Sequence, residues 1–189
     1  MRTTVKLTLL VLFATFAHAA DCDRDCLRGV ITQYLDAMIA HNPAAAPVAA
    51  KVRFTEDTVD MRLGEGLWKN ASKLRGYRQD ILDVRQGVAA SQVIVEESGV
   101  PVMLVLRLKV ADKKITEIET QVTRTQNEGR IFNIAAIQTP SKVMNMTPER
   151  SQLSSREDAV KIAQFYPAGL KIDSFGTVDA PYASDAYRI

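Results

Sequence analysis

The chain has 189 residues, with 24 Lys plus Arg against 22 Asp plus Glu, two His and two Cys. A balance this close to zero makes nucleic acid and anionic membrane surfaces poor partners. So few His and Cys cannot build a Cys/His zinc cage or a multi-histidine metal site, and no metal or cofactor is expected.

Residues 1–19 read as a signal peptide. Arg2 and Lys6 form a basic n-region, residues 7–16 an apolar core, and Ala17-His18-Ala19 a small-x-small cleavage site. Cleavage there makes Ala20 the first mature residue. Removing 19 of the 189 residues leaves 170, with 22 charges of each sign and His41 as the remaining histidine. The apolar core is too short to span a bilayer, and no other apolar run is long enough. Asp21 directly before Cys22 argues against lipidation of that cysteine. The expected product is a soluble exported protein, periplasmic or secreted, with no membrane contact after processing.

The first element is a helix. Leu27, Val30, Ile31, Tyr34, Leu35, Met38 and Ile39 fall on one apolar stripe. Asp21, Asp23 and Asp25 crowd its positive N-terminal end, and Asn42-Pro43 stops it. Ala-rich residues 45–52 predict a second, short helix. Residues 53–68 predict short strands joined by a loop. Residues 70–86 predict a third helix, with Leu74, Tyr77, Ile81 and Val84 on one side.

Beyond residue 88 the period becomes two. A strand is expected over residues 92–97, turned by Ser98-Gly99. Val102, Leu104, Leu106, Leu108 and Val110 then alternate with Met103, Val105, Arg107 and Lys109. Over residues 115–124, Ile118, Thr120 and Val122 alternate with Glu117, Glu119 and Gln121. A further strand is expected over residues 130–138. The order is α+β, with helices covering one face of a three- or four-stranded antiparallel meander. Parity tests the turn between the long strands. A three-residue loop, Asp112-Lys113-Lys114, sets Leu108 opposite Ile118, Arg107 beside Glu119 and Lys109 beside Glu117. A two-residue loop would set Leu108 against Glu117. The charged ladder then forms a solvated or domain-contacting outer face.

Residues 20–140 make one domain and the polar residues 141–155 a linker. Residues 156–170 are again amphipathic. Tyr34, Met38, Pro47 and Ala49 are echoed by Tyr166, Leu170, Pro181 and Ala183 across a two-residue gap. Two readings stay open, coincidence or an incomplete second copy over residues 156–189. The ending at Tyr187-Arg188-Ile189 gives the expectation of a longer parent protein.

The helix carrying Tyr34, the Arg53-Phe54-Thr55-Glu56 segment, the third helix and the meander ending on Lys114-Ile115-Thr116-Glu117-Ile118 resemble the NTF2-like, or SnoaL-like, cone fold. More narrowly, the chain resembles a family of exported microbial proteins of uncharacterised function. That match runs over Cys22 and Cys26, Val52-Arg53-Phe54-Thr55-Glu56, Leu63-Gly64-Glu65-Gly66-Leu67-Trp68, Leu106-Arg107-Leu108-Lys109-Val110 and Glu117-Ile118-Glu119-Thr120. The resemblance implies an α+β cone, N-terminal helices on a curved antiparallel sheet, enclosing a pocket for a small, mostly apolar molecule.

It also implies where chemistry would lie. Tyr34 matches the position of an oxyanion donor in ketosteroid isomerase-like members. The general base should come from residues 57–61, where Asp57 and Asp60 are available, although Met61 aligns closest. Asp60 and Glu56 are the candidate acid/base partners of Tyr34, for metal-independent lyase or isomerase chemistry. Each has a plainer reading, Tyr34 as a core tyrosine among them. Trp68, Glu65 and His41 are the candidate pocket residues. An indole beside a carboxylate can raise its pKa into a working range, and glycines flanking Glu65 let backbone approach a ligand. The plainer reading is a tight bend anchored by Trp68, with His41 at a helix end. The competing function is a non-catalytic binding or interaction module with a packed cone. Its sheet face would meet a second domain or a second copy.

Cys22 and Cys26 are predicted to bridge. Export brings an oxidising compartment, and a spacing of four sets both on one side of a first helical turn, about 6 Å apart. Free thiols, or pairing with cysteines farther along a longer chain, are the alternatives.

Overall fold

The computed structural model describes residues 22–124, 134, 137, 139, 140, 142–146, 149–172 and 180–184. The signal peptide expected over 1–19 lies outside these residues, and the strand expected over 130–138 lies almost wholly outside them.

Helix α1 spans Arg24–Ile39. Asp23 caps it, its side chain accepting from Cys26 N at 2.8 Å, which satisfies one of the donors a first turn leaves open. A disulfide joins Cys22 and Cys26, with Cα atoms 5.2 Å apart. The bridge therefore closes over the turn that Asp23 caps. At the other end His41 takes a positive φ of 51°. Its N–H reaches Met38 O, and Asn42 N reaches Ala37 O. This is a Schellman closure, with histidine where glycine is usual.

Among the described residues, six strands form one sheet in the order β2-β1-β6-β5-β4-β3. Their spans are β1 Val48–Glu56, β2 Val59–Met61, β3 Ala71–Asp83, β4 Val88–Glu97, β5 Val100–Ala111 and β6 Lys114–Thr123. All neighbours are antiparallel except β1 and β6, which run parallel. The result is an α+β cone, with α1 laid on a curved sheet. The stripe of α1 is buried as expected: Leu27, Val30, Ile31, Tyr34, Leu35 and Met38 join Leu104, Leu106, Leu108, Ile115 and Ile118 in one core. Each such side chain contributes about 1.5–3 kcal/mol by leaving water.

Two predicted helices are strands. The helix expected over 45–52 is a 3-10 turn, Pro43–Ala45, followed by β1. Val48, Val52 and Phe54 lie against the core, so sheet burial overrides the helix preference of alanine. The helix expected over 70–86 is β3. Its apparent helical spacing arises because the pairing with β4 slips between Leu74 and Arg78, where Gly76 has a φ of 87°. That irregularity breaks the two-residue period and leaves Leu74 and Ile81 exposed.

The β5–β6 register is the expected one: Leu108 faces Ile118, Arg107 faces Glu119 and Lys109 faces Glu117. The loop is shorter than expected. Asp112 and Lys113 alone form the turn, with φ of 49° and 58°, and Ala111 pairs with Lys114. A bulge at Thr116 then shifts the register by one residue. Both Ile115 and Ile118 thereby reach the core, three residues apart. Arg107 bonds both Glu117 and Glu119 on the opposite face, at 3.1 Å each.

After the cone, the expected linker carries a short helix α2, Lys142–Asn145, and a 3-10 turn at Arg150–Gln152. Helices α3, Arg156–Ala163, and α4, Phe165–Lys171, follow. Arg156 pairs with Asp83 of β3. Val160, Ile162, Tyr166 and Leu170 remain exposed.

Candidate functional site

Strand β1 ends in two adjacent carboxylates. Glu56, 4% exposed, turns inward. Its carboxylate accepts from Leu67 N at 3.0 and 3.2 Å and from Arg124 Nη2 at 2.9 Å. Leu67 belongs to a 3-10 turn, Gly66–Lys69, and the carboxylate lies hard against Gly66. A Cβ built there would stand 2.7 Å from both carboxylate oxygens. The Gly-Glu-Gly-Leu-Trp run thus needs its second glycine to admit Glu56, in a backbone of φ 62° that also favours glycine.

Arg124 follows β6 and gathers three acidic residues. It bonds Glu97 at 2.7 and 3.2 Å, Glu56 at 2.9 Å, and Asp57 at 3.4 Å. The Glu97 hydrogen bond, aided by Glu56 and opposed by partial burial, holds the guanidinium proton more tightly than usual. Asp57 also accepts from Val122 N at 2.9 Å and gives its own N–H to Thr120 O. This knot ties the β1–β2 turn to the end of β6.

Behind Glu56 lies Tyr34, with no accessible surface. Trp68 Nε1 donates to its hydroxyl at 2.9 Å, and the two rings meet edge to face with centroids 5.2 Å apart. Burial pushes the phenol pKa well up. The Trp68 hydrogen bond opposes this, and the charge of Glu56 adds to it. His41 Nδ1–H donates to Trp68 O at 2.6 Å, which assigns the proton to that nitrogen because a carbonyl only accepts.

The fold therefore joins Tyr34, Trp68, His41 and Glu56 through one 3-10 turn. It keeps Asp60 apart: that carboxylate is largely exposed and pairs with Arg53 at 3.1 Å. Met61 lies against the core. Glu65 turns back to accept from Arg62 N at 3.1 Å. Sequence reasoning missed Arg124 and Glu97. The available signal was Glu56 itself, since a carboxylate on a core strand calls for a cation or backbone donors.

No family model and no curated protein matches the chain. Solved structures similar to it include a putative ketosteroid isomerase from Kribbella flavida DSM 17836, 14% identical, covering 71% of this chain and 92% of that one at a TM-score of 0.44. An NTF2-like protein of unknown function from Burkholderia xenovorans LB400 is 9% identical, over 66% and 95% of the two chains, with a TM-score of 0.42. A de novo designed protein with a curved β-sheet is 18% identical, over 58% and 99%, with a TM-score of 0.45. No ligand or reaction passes from these proteins to this chain.

Proposed function

We propose that this chain is an exported binding or interaction module whose cone is a packed core, and that it works through its surface. The observation that carries the reading is the state of Tyr34. It has no accessible surface, its hydroxyl takes the indole N–H of Trp68, and Leu27, Ile31, Leu35, Leu67, Leu104 and Ile118 are equally sealed. Water reaches almost none of these groups, so a substrate would have to displace close-packed core side chains. Glu56 is held by Leu67 N and Arg124, which suits a structural carboxylate better than a mobile base. Export rests on the basic and apolar leader with its small-x-small site, and the Cys22–Cys26 bridge is compatible with it.

One observation favours the acid/base reading. Among the described residues, the Tyr34 hydroxyl receives a hydrogen bond and gives none, so its proton remains available to an oxyanion. Native mass spectrometry of the exported protein separates the two. The expected spectrum shows the bare chain. A retained apolar molecule that is lost in Trp68→Ala would place the ligand in the cone and overturn the proposal.

A further inference from the structure

A second group of polar side chains lies on the far flank of α1, away from Glu56. Arg24, Arg28 and Thr32 follow one another at four-residue steps along the helix, on a single face. Opposite them stand Arg78, Gln79 and Asp80 of β3, and Met144 and Met146 form the remaining wall. Together they enclose a cleft of about 450 Å³.

The cations in this cleft have different duties. Arg78 is committed to structure: it grips Asp80 with two bonds of 2.8 and 2.9 Å and ties down Thr32 Oγ1 and Arg28 O. Arg28 reaches Asp25 at 2.8 Å, a carboxylate that is itself almost fully in water, and Asp80 at only 3.8 Å. Arg24 gives one bond to Leu82 O and meets no carboxylate among the described residues. The lining sets three guanidinium groups against the carboxylate of Asp80, and with Asp25 at its edge on Arg28 one positive charge remains in excess. The chain as a whole is nearly neutral, so this excess is local. The fourth wall has another character, because Met144 and Met146 are exposed thioethers with soft, adaptable surfaces.

We propose that this cleft binds a small organic phosphate, its dianionic head on Arg24 and Arg28 and an apolar body against Met144 and Met146. Guanidinium forks match phosphate oxygens in pairs; Arg24 brings a charge bonded only to a backbone carbonyl, and Arg28 can exchange the water-exposed Asp25 for a phosphate oxygen. Arg78 and Asp80 act as the frame that holds the helix against the strand. The cleft is lined by polar residues of α1 and β3 and not by Tyr34, Trp68 or Glu56, so it stands or falls separately from the packed-core reading.

Calorimetric titration with phenyl phosphate tests it, beside inorganic phosphate and vesicles containing phosphatidylglycerol. Saturable binding of phenyl phosphate at about 1 mM or tighter is expected. Arg24→Gln should weaken it about 10-fold, and Arg85→Gln, on the β3–β4 turn, should leave it unchanged. Arg28→Gln serves as the second variant if Arg24→Gln loses its circular-dichroism spectrum. No saturation by phenyl phosphate overturns the site. Equal weakening by Arg85→Gln would reduce it to general charge attraction and overturn it too. Inorganic phosphate binding as tightly as phenyl phosphate overturns the role of the methionines. Vesicle binding without phenyl phosphate binding would make the surface a membrane contact and overturn the small-molecule assignment.

Discussion

Helix α1 and the pair α3–α4 carry the same kind of sequence and meet different fates. Both begin on a side-chain cap, Asp23 for α1 and Ser155 for α3. Both present apolar residues at helical spacing. The stripe of α1 is sealed against the sheet, while no residue of α3 is buried and α4 buries only Gly169. Amphipathic spacing thus states that a face needs cover and leaves open whether the chain supplies it. The difference comes from topology: the sheet from β3 to β6 gives α1 a continuous apolar floor, and α3 is tied to the cone through Arg156 and Asp83.

The sharpest test truncates one leucine on each side. Leu35→Ala should cost about 2–5 kcal/mol in urea unfolding. Leu170→Ala, at a residue 59% exposed, should stay within about 0.5 kcal/mol. Equal losses would mean that α4 packs against something within the chain. The bridge at the head of α1 comes next. Cys22→Ser should lower the stability of the cone by roughly 2 kcal/mol or less, because the closed loop is so short. Limited proteolysis near residue 155 should be unchanged.

Alkali separates the two regions further. Burial raises the pKa of Tyr34, so the folded state holds the phenol proton more tightly than the unfolded state. Its contribution is complete below about pH 10 and falls as pH rises beyond that, by about 1.4 kcal/mol per pH unit. Tyr34→Phe should flatten this alkaline limb, and Tyr166→Phe, on the exposed α4, should leave it in place. The smallest expected effect lies in the caps. Asp23→Ala should cost about 1 kcal/mol of cone stability, whereas Ser155→Ala should reduce helix content over residues 156–163 without moving the unfolding midpoint. A shift of that midpoint by Ser155→Ala would join the two regions into one cooperative unit.

The same contrast explains what could be read from the residues. The α1 stripe, the alternation in β5 and the pairing of Leu108 with Ile118 were legible because one face of each element is buried without interruption. The strands β1 and β3 were not. β1 owes its state to a parallel partner more than 50 residues away in the sequence, and the slip at Gly76 spoils the period of β3. The bulge had a visible signature that parity alone did not resolve. Ile115 sits out of phase with Ile118, Thr120 and Val122, and one extra residue at Thr116 reconciles them. At the site, Tyr34, Trp68, His41 and Glu56 were singled out for chemistry, and the fold joins them. Arg124 escaped because its partners Glu56 and Glu97 lie 68 and 27 residues away.

The parallel seam between β1 and β6 also sets an order of events. Thr120 Oγ1 bonds Thr55 O across 65 residues of chain, and α1 comes before both. The four-stranded run from β3 to β6 can zip from neighbour to neighbour. β1 has no partner except its short hairpin mate until β6 exists. At about 5–20 residues per second, several seconds separate the synthesis of Ile39 from that of Thr123. For the first part of that interval, until β3 and β4 have been made, the apolar stripe of α1 travels without its floor, as a substrate for whatever holds nascent chains apart.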